Sequence, residues 1–263
     1  MTDFADRLRQ LPHDLVVGLS FFSRLPVKGP TGALDLRESA GAWPLAGLLL
    51  AVGPAASVVL NSWLGMAPLV SAFLAIAVAI ALTGALHEDG LADTFDGLAH
   101  GRSASERLEI MRDSRLGTFG ALALIIAIGV RVAAIAALVV DPSDAVLALL
   151  GVAVVSRSLA LWHWSTLPPA RHDGMAWRAG QPDFTALQIG LLTGLVAIIV
   201  LIVAFGWAAL LGLVFAGLAV GFFTSLANRR LGGHTGDTIG AMQQVAETML
   251  LAGISAAAAT NLI

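Results

Sequence analysis

Long, continuous apolar runs dominate the chain, each bounded by a short polar break. A helix needs about 20 residues to cross a hydrocarbon core, and seven runs reach about that length: 41–60, 66–86, 116–140, 145–165, 186–204, 207–226 and 239–261. The runs do not alternate apolar with polar residues, as the strands of an outer-membrane barrel would. The pattern therefore predicts an all-α, polytopic membrane helix bundle of about seven transmembrane helices. An earlier stretch, 11–27, carries His13, Asp14, Arg24 and Pro26 and reads as an N-terminal interfacial amphipathic helix rather than a span. Residues 1–263 read as one integral membrane domain, in which 1–40 form a cytoplasmic or interfacial segment and 87–115 a long cytoplasmic loop.

Basic residues fix the expected orientation, because Lys and Arg near span ends favour the cytoplasmic side. Arg7, Arg9, Arg24, Lys28 and Arg37 precede the first run; Arg102, Arg107, Arg112 and Arg115 lie between the second and third. Arg171 and Arg178 follow the fourth run, and Arg229 and Arg230 the sixth, whereas the short breaks at 61–65, 141–144 and 205–206 hold no basic residue. An N-terminus on the cytoplasmic side satisfies every loop and gathers the polar loops on one cytoplasmic face. Residues 1–9 lack a basic stretch followed by an apolar core, so no cleaved signal peptide is expected.

Composition agrees with lipid as the main solvent: 57% of the residues are hydrophobic and 13% charged. The net charge of −3 and the lack of a basic run give no footprint for nucleic acid. With no cysteine, disulfides, thiolate metal sites and cysteine nucleophiles are excluded.

The chemistry concentrates in 87–115, HEDGLADTFDGLAHGRSASERLEIMRDSR. At about 100° per residue, Asp93 and Asp96 fall about 40° and −20° from Asp89, so three carboxylates share one helical face, with Glu88 beside them. Like charges stacked at a membrane border repel strongly. A bound cation relieves that repulsion, and oxygen-only ligands suit Mg²⁺, with Gly90 and Gly97 letting a diphosphate approach. A solvated acidic helix end is the plainer alternative. HEDGLAD lacks the second histidine of a zinc-protease helix, leaving His87 as a helix-border residue or a ligand. Ser103 to Glu106 form a capping-box pattern that predicts a short helix to about Asp113, with Leu108 and Met111 facing the membrane. Arg112 and Arg115 serve either as phosphate forks or as topology anchors.

A second glycine-rich turn, RRLGGHTGDT at 229–238, leads into the last run and predicts an anion-binding helix start. Asp237 is there a helix N-cap, a metal ligand, or both. Arg131, Arg157 and Glu247 within the runs should face the bundle interior, Glu247 pairing with one of the arginines. Trp162, His163 and Trp164 read as an interfacial aromatic belt.

HEDGLADTFDGL at 87–98, RLEIMRDSRLGTFG at 107–120, GGHTGDTIGA at 232–241 and FFSRLPV at 21–27 together resemble the cobalamin synthase family, the adenosylcobinamide-GDP ribazoletransferases. The similarity runs through nearly the whole chain, with Ser23 where the family often has threonine. The resemblance implies a bacterial or archaeal cytoplasmic-membrane enzyme that joins adenosylcobinamide-GDP to α-ribazole or its 5′-phosphate, using Mg²⁺ and releasing GMP. Under it, Glu88, Asp89, Asp93 and Asp96 form the metal set, and one of Asp89, Asp93, Asp96 or Asp113 takes the hydroxyl proton. Arg112, Arg115, Arg171 and the turn holding Gly233, Thr235, Gly236 and Asp237 hold phosphates. Self-association, or contact with other cobamide-assembly enzymes, stays open.

Two other classes share parts of this pattern. A CDP-alcohol phosphotransferase or an aromatic prenyltransferase also sets spaced aspartates and Mg²⁺ at a membrane border, but Asp93-x2-Asp96-Gly97 continues without the arginine the former requires. An ion-coupled transporter would place its polar residues at mid-membrane depth rather than on one face.

Overall fold

In lipid every backbone N–H and C=O must find its partner within the chain, and uninterrupted helices achieve this. The computed structural model, which describes residues 4–29, 35–256 and 258, follows that rule. In chain order the helices are α1 (Phe4–Phe22), α2 (Leu36–Ser39), a 3-10 turn (Ala40–Ala42), α3 (Trp43–Trp63), α4 (Pro68–Thr83), α5 (Leu86–His100) and α6 (Ala104–Ile110). They continue as α7 (Thr118–Leu138), α8 (Pro142–Thr166), α9 (Gly174–Ala179), α10 (Phe184–Phe205), α11 (Trp207–Leu231) and α12 (Gly236–Ile254).

Five helices among the described residues are long and apolar enough to cross a membrane, α3 with its preceding turns, α7, α8, α10 and α11; a sixth crossing is made if α4 and α5 count as one bent span. The protein is a multi-pass helical membrane protein. Val196 and Val203 on α10, Leu218 and Phe222 on α11 and Ile125 on α7 stand exposed on its outside, an apolar coat of the kind lipid requires. The seventh expected segment, 239–261, falls on α12, which ends at Ile254; residues 257 and 259–261 of that segment lie outside the described residues. α12 carries Gln243, Gln244 and Glu247 and is sheathed by α5, α7, α8 and α11, so its polar groups meet protein rather than lipid.

Two local expectations change. The interfacial helix begins at Phe4 rather than at residue 11 and ends at Phe22, with Arg7 and Asp14 buried on its inner side. Arg7 is held 2.9 Å from Glu38 and lies 3.8 Å from Asp14, which ties α1 to α2. The capping box at Ser103 and Glu106 starts α6 as expected, but Met111 is buried with Leu98, Leu167, Ala227 and Leu231 instead of facing lipid.

Glycine contacts fix where the inner helices cross. A Cβ on Gly90 would come within 2.8 Å of the Asp237 carbonyl oxygen, so the start of α12 lies directly on α5. A Cβ on Gly97 would meet the Arg107 carbonyl at 2.9 Å, which seats α6. These two glycines admit neighbouring backbone rather than a diphosphate.

Candidate active site

α4 ends on Gly84 (φ 65°) and is followed by Ala85 (φ 60°), the one non-glycine residue with positive φ among those described. A left-handed alanine costs about 1 kcal/mol. The two residues turn α5 by 91° from α4 and carry its acidic first turn across the bundle toward α12.

The carboxylates of α5 then separate by direction. Glu88 points inward, 3.3 Å from Arg131 on α7, which also lies 3.2 Å from Glu247 on α12. Gln244 donates to Glu88 at 3.2 Å and Gln243 to Glu247 at 2.6 Å, so the ion pairs sit in a buried polar network. Asp96 accepts the backbone N–H groups of Gly117 at 2.8 Å and Gly120 at 2.9 Å, and so anchors the start of α7. Asp89 and Asp93 remain, facing Asp237. Burial, then repulsion from Asp89, Asp237 and Asp96, pushes the Asp93 carboxyl up to about 7, with Arg171 acting in the opposite direction.

Asp237 reaches this cluster from a turn built on backbone contacts. Gly232 closes α11 with φ 79°, and the Gly233 Cα passes so close to the Pro168 carbonyl that no side chain fits. His234 donates its backbone N–H to Pro168 at 2.8 Å, and Ala170 donates to the His234 carbonyl at 2.8 Å. This short parallel bridge binds the loop after α8 to the start of α12. Thr235, not Asp237, is the N-cap of α12, in a reciprocal capping box with Thr238. His163 spans the same junction, within 2.8 Å of Thr224 on α11 and 3.1 Å of Thr238. His163 and Trp164 thus face the interior rather than an interfacial belt, and only Trp162 is exposed.

Asp237, freed from capping, accepts from Thr235 at 3.2 Å and lies 3.5 Å from Arg171. Burial raises its carboxyl above the usual range, offset chiefly by Arg171. Arg171 sits 3.8 Å from Asp173, and Asp173 accepts from Arg112, so Arg112 joins the site through a chain of ion pairs. Asp113 and Arg115 pair with each other on an exposed loop at 2.9 Å and do not line the cavity described next.

Asp89, Asp237 and Arg171 stand on a cavity of about 240 Å³. It is also lined by Phe22, Trp43 and Trp164 and by His87, Arg157 and Gln243. Trp43 stacks on Trp164 with ring centroids 4.7 Å apart, and Phe22 stacks on His87 at 5.5 Å. Gly236 lines the cavity as well, whereas Thr235 is buried in the cap. Phe22, Trp43 and Gln243 were not singled out by sequence, and Trp164 was read as part of an interfacial belt rather than as a cavity wall.

Among the described residues, no group of three His, Asp or Glu side chains is drawn together as a metal cage. Asp89, Asp93 and Asp237, from two helices, repel one another without converging on one point, and Asp89, Asp237 and Arg171 share the aromatic-walled cavity.

Fold and site define a polytopic membrane protein with an acid-rimmed pocket at one end of its helix bundle. Residues 14–255 match the profile of the cobalamin-5-phosphate synthase family, and the chain belongs to that family. Curated relatives named adenosylcobinamide-GDP ribazoletransferase include those of Sinorhizobium medicae and Rhizobium meliloti, each 44% identical over 95% of this chain and 98% of theirs. The Azorhizobium caulinodans relative of that name is 42% identical over 92% of this chain and 94% of its own. No solved structure gives a significant match.

Proposed function

We propose that the chain is an adenosylcobinamide-GDP ribazoletransferase acting at the acid-rimmed cavity. The observation that carries this reading is the meeting of Asp89 and Asp93 with Asp237 where α5 and α12 cross at Gly90. Three carboxylates in a partly buried setting, opposed chiefly by Arg171 and more weakly by Arg112, are an oxygen-only donor set short of positive charge, which suits Mg²⁺ with a diphosphate. Asp89, Asp93 and Asp237 are the residues that would hold the ion. Bound there, Mg²⁺ supplies charge neutralisation for the diphosphate and the departing GMP. Glu88 and Asp96, already engaged by Arg131 and by two backbone amides, fix the helices on which the others stand.

The reaction joins the ribose hydroxyl of α-ribazole, or of its 5′-phosphate, to the cobinamide-side phosphorus. One O–P bond forms there as the P–O bond to GMP breaks, and GMP leaves with the electron pair. A carboxylate of this set, Asp93 or Asp89, is placed to take the hydroxyl proton. Arg171 and Arg112, linked through Asp173, are placed to steady phosphate oxygens beside the start of α12. Orientation of the reactants and neutralisation of charge then do most of the catalysis. The arginine-bearing loops at this end of the bundle favour a site on the cytoplasmic side of the membrane.

The test is GMP and cobamide formation by nanodisc-embedded protein given adenosylcobinamide-GDP and α-ribazole phosphate, with Mg²⁺ or with EDTA. Turnover that needs Mg²⁺ and falls at least about a hundredfold in folded Asp89→Ala is expected. Wild-type protein that is folded but inert would sink the reading.

A further inference from the structure

Arg131 and Arg157 are both buried, yet they are used differently. Arg131 has two carboxylate partners, Glu88 and Glu247. Arg157 has no ion pair among the described residues. Its Nη1 donates to the Ala153 carbonyl of its own helix at 3.1 Å, its Nε–H is sealed against α3 without an acceptor, and its Nη2 makes no hydrogen bond among the described residues, which leaves Nη2 as the donor a ligand can meet. A guanidinium only 6% exposed is expensive to leave so poorly paired. The space it occupies is made for it: a Cβ on Gly47 of α3 would stand 2.8 Å from Nε. Arg157 lines the cavity together with Gln243 and the aromatic residues Phe22, Trp43 and Trp164.

A flat, apolar ring system with one hydrogen-bond acceptor on its edge matches this combination of aromatic wall and unmatched donor. Guanine's N1–H and N2–H donors call for carboxylates, and the two that line this cavity, Asp89 and Asp237, are already assigned to the ion, whereas the aromatic part of the lining offers those donors no acceptor. We propose, resting on the reading above, that the cavity is the acceptor subsite: it takes the benzimidazole base of α-ribazole, with the bare ring nitrogen accepting from Arg157. The ribose then lies toward Asp89 and Asp237, which line the same cavity. Arg157 is thus a specificity residue that touches the acceptor far from the transferred phosphoryl group.

Binding is read without turnover, by calorimetry and by quenching of tryptophan fluorescence as nanodisc-embedded protein is titrated with benzimidazole riboside or with indole riboside, which lacks the acceptor nitrogen. Wild type should prefer the benzimidazole by about tenfold, and folded Arg157→Met should bind both equally weakly. Ala176→Phe, a change at a half-buried position of the short α9 that fills the cavity from its rim, keeps the test open if Arg157→Met fails to fold. It should raise the KM for the acceptor at least about tenfold and leave that for adenosylcobinamide-GDP unchanged. An unaltered acceptor KM, a KM effect on the GDP substrate instead, or discrimination between the ribosides that survives in Arg157→Met would overturn the assignment. Each of these results is compatible with normal GMP release by wild type, so the subsite can fail while the reaction stands.

Discussion

Asp96 accepts the backbone N–H of Gly120 at 2.9 Å across 24 positions of sequence, so a carboxylate on α5 caps a helix it does not belong to. With Gly117 bound by the same side chain, the first turn of α7 hangs on α5. Replacing Asp96 by alanine leaves two amide donors without their partner and should cost about 1–3 kcal/mol. Denaturant unfolding of Asp96→Ala in micelles should show that loss, with Asp96→Asn less affected. Unchanged stability would mean that the carboxylate is free for another task.

The Asp93 carboxyl gives a pH dependence of known sign. Its proton affinity is raised from the ordinary 3.8 to about 7 in the fold. Between those values the folded chain binds more protons than the unfolded one, so this group's contribution to stability falls as pH rises through the window. In EDTA, Asp93→Asn should therefore melt above wild type at pH 8, by about 1 kcal/mol after allowance for its partial exposure, and the two should converge near pH 4. Thermal scans at the two pH values decide it. A variant less stable than wild type at pH 8 would contradict the repulsion inferred among Asp89, Asp93 and Asp237.

Gly233 and Gly236 occupy the same turn but should respond oppositely. Gly233 has the Pro168 carbonyl and the Ala170 amide where a Cβ would go, while nothing lies within 4 Å of a Cβ at Gly236. Gly233→Ala should pry the loop from α12, carry Arg171 off Asp237 and lower kcat/KM by at least about tenfold. Gly236→Ala should fold with a melting temperature within about 2 °C of wild type, since only the backbone's entropy changes. Equal melting temperatures and activities in the two variants would count against the bridge as the device that positions Arg171.

Arg131 holds Glu88 and Glu247 at once, and removing it leaves the buried Glu88 and the half-buried Glu247 without their cation. Arg131→Met should cost about 3–5 kcal/mol or abolish folded yield. Combining Arg131→Met with Glu88→Gln and Glu247→Gln, which removes all three charges, should recover part of that loss. Size-exclusion profiles after mild heating compare them directly, and a triple variant no better than the single one would remove charge balance as the explanation.

Much of the architecture was legible because lipid imposes length: 116–140 and 186–204 match α7 and α10 to within two residues at each end. The block at 87–98 was legible as acid clustered on one helix. Helical periodicity could not say which neighbour each carboxylate would meet. Glu88 turns to an arginine 43 positions on and Asp96 to amides 21 and 24 positions on, and such pairings arise only from packing. The break at Gly84 and Ala85 escaped notice because no proline marks it and the apolar run continues through it. The aromatic wall was hidden for a similar reason. Trp43 and Trp164 each sit near a span end, where tryptophan usually means headgroups, and only the approach of α3 to α8 turns them toward each other.

The position of α12 bears on how the protein is made. It is the last helix described, yet it is wrapped by α5, α7, α8 and α11, and it brings Asp237 to a site whose other acids come from α5. A segment with Gln243, Gln244 and Glu247 partitions poorly into lipid alone. It has to enter a groove that the earlier helices have already shaped, with Arg131 waiting for Glu247. Closing the bundle and completing the acidic cluster are therefore one event, since the same helix that brings Glu247 to Arg131 brings Asp237 to Asp89 and Asp93.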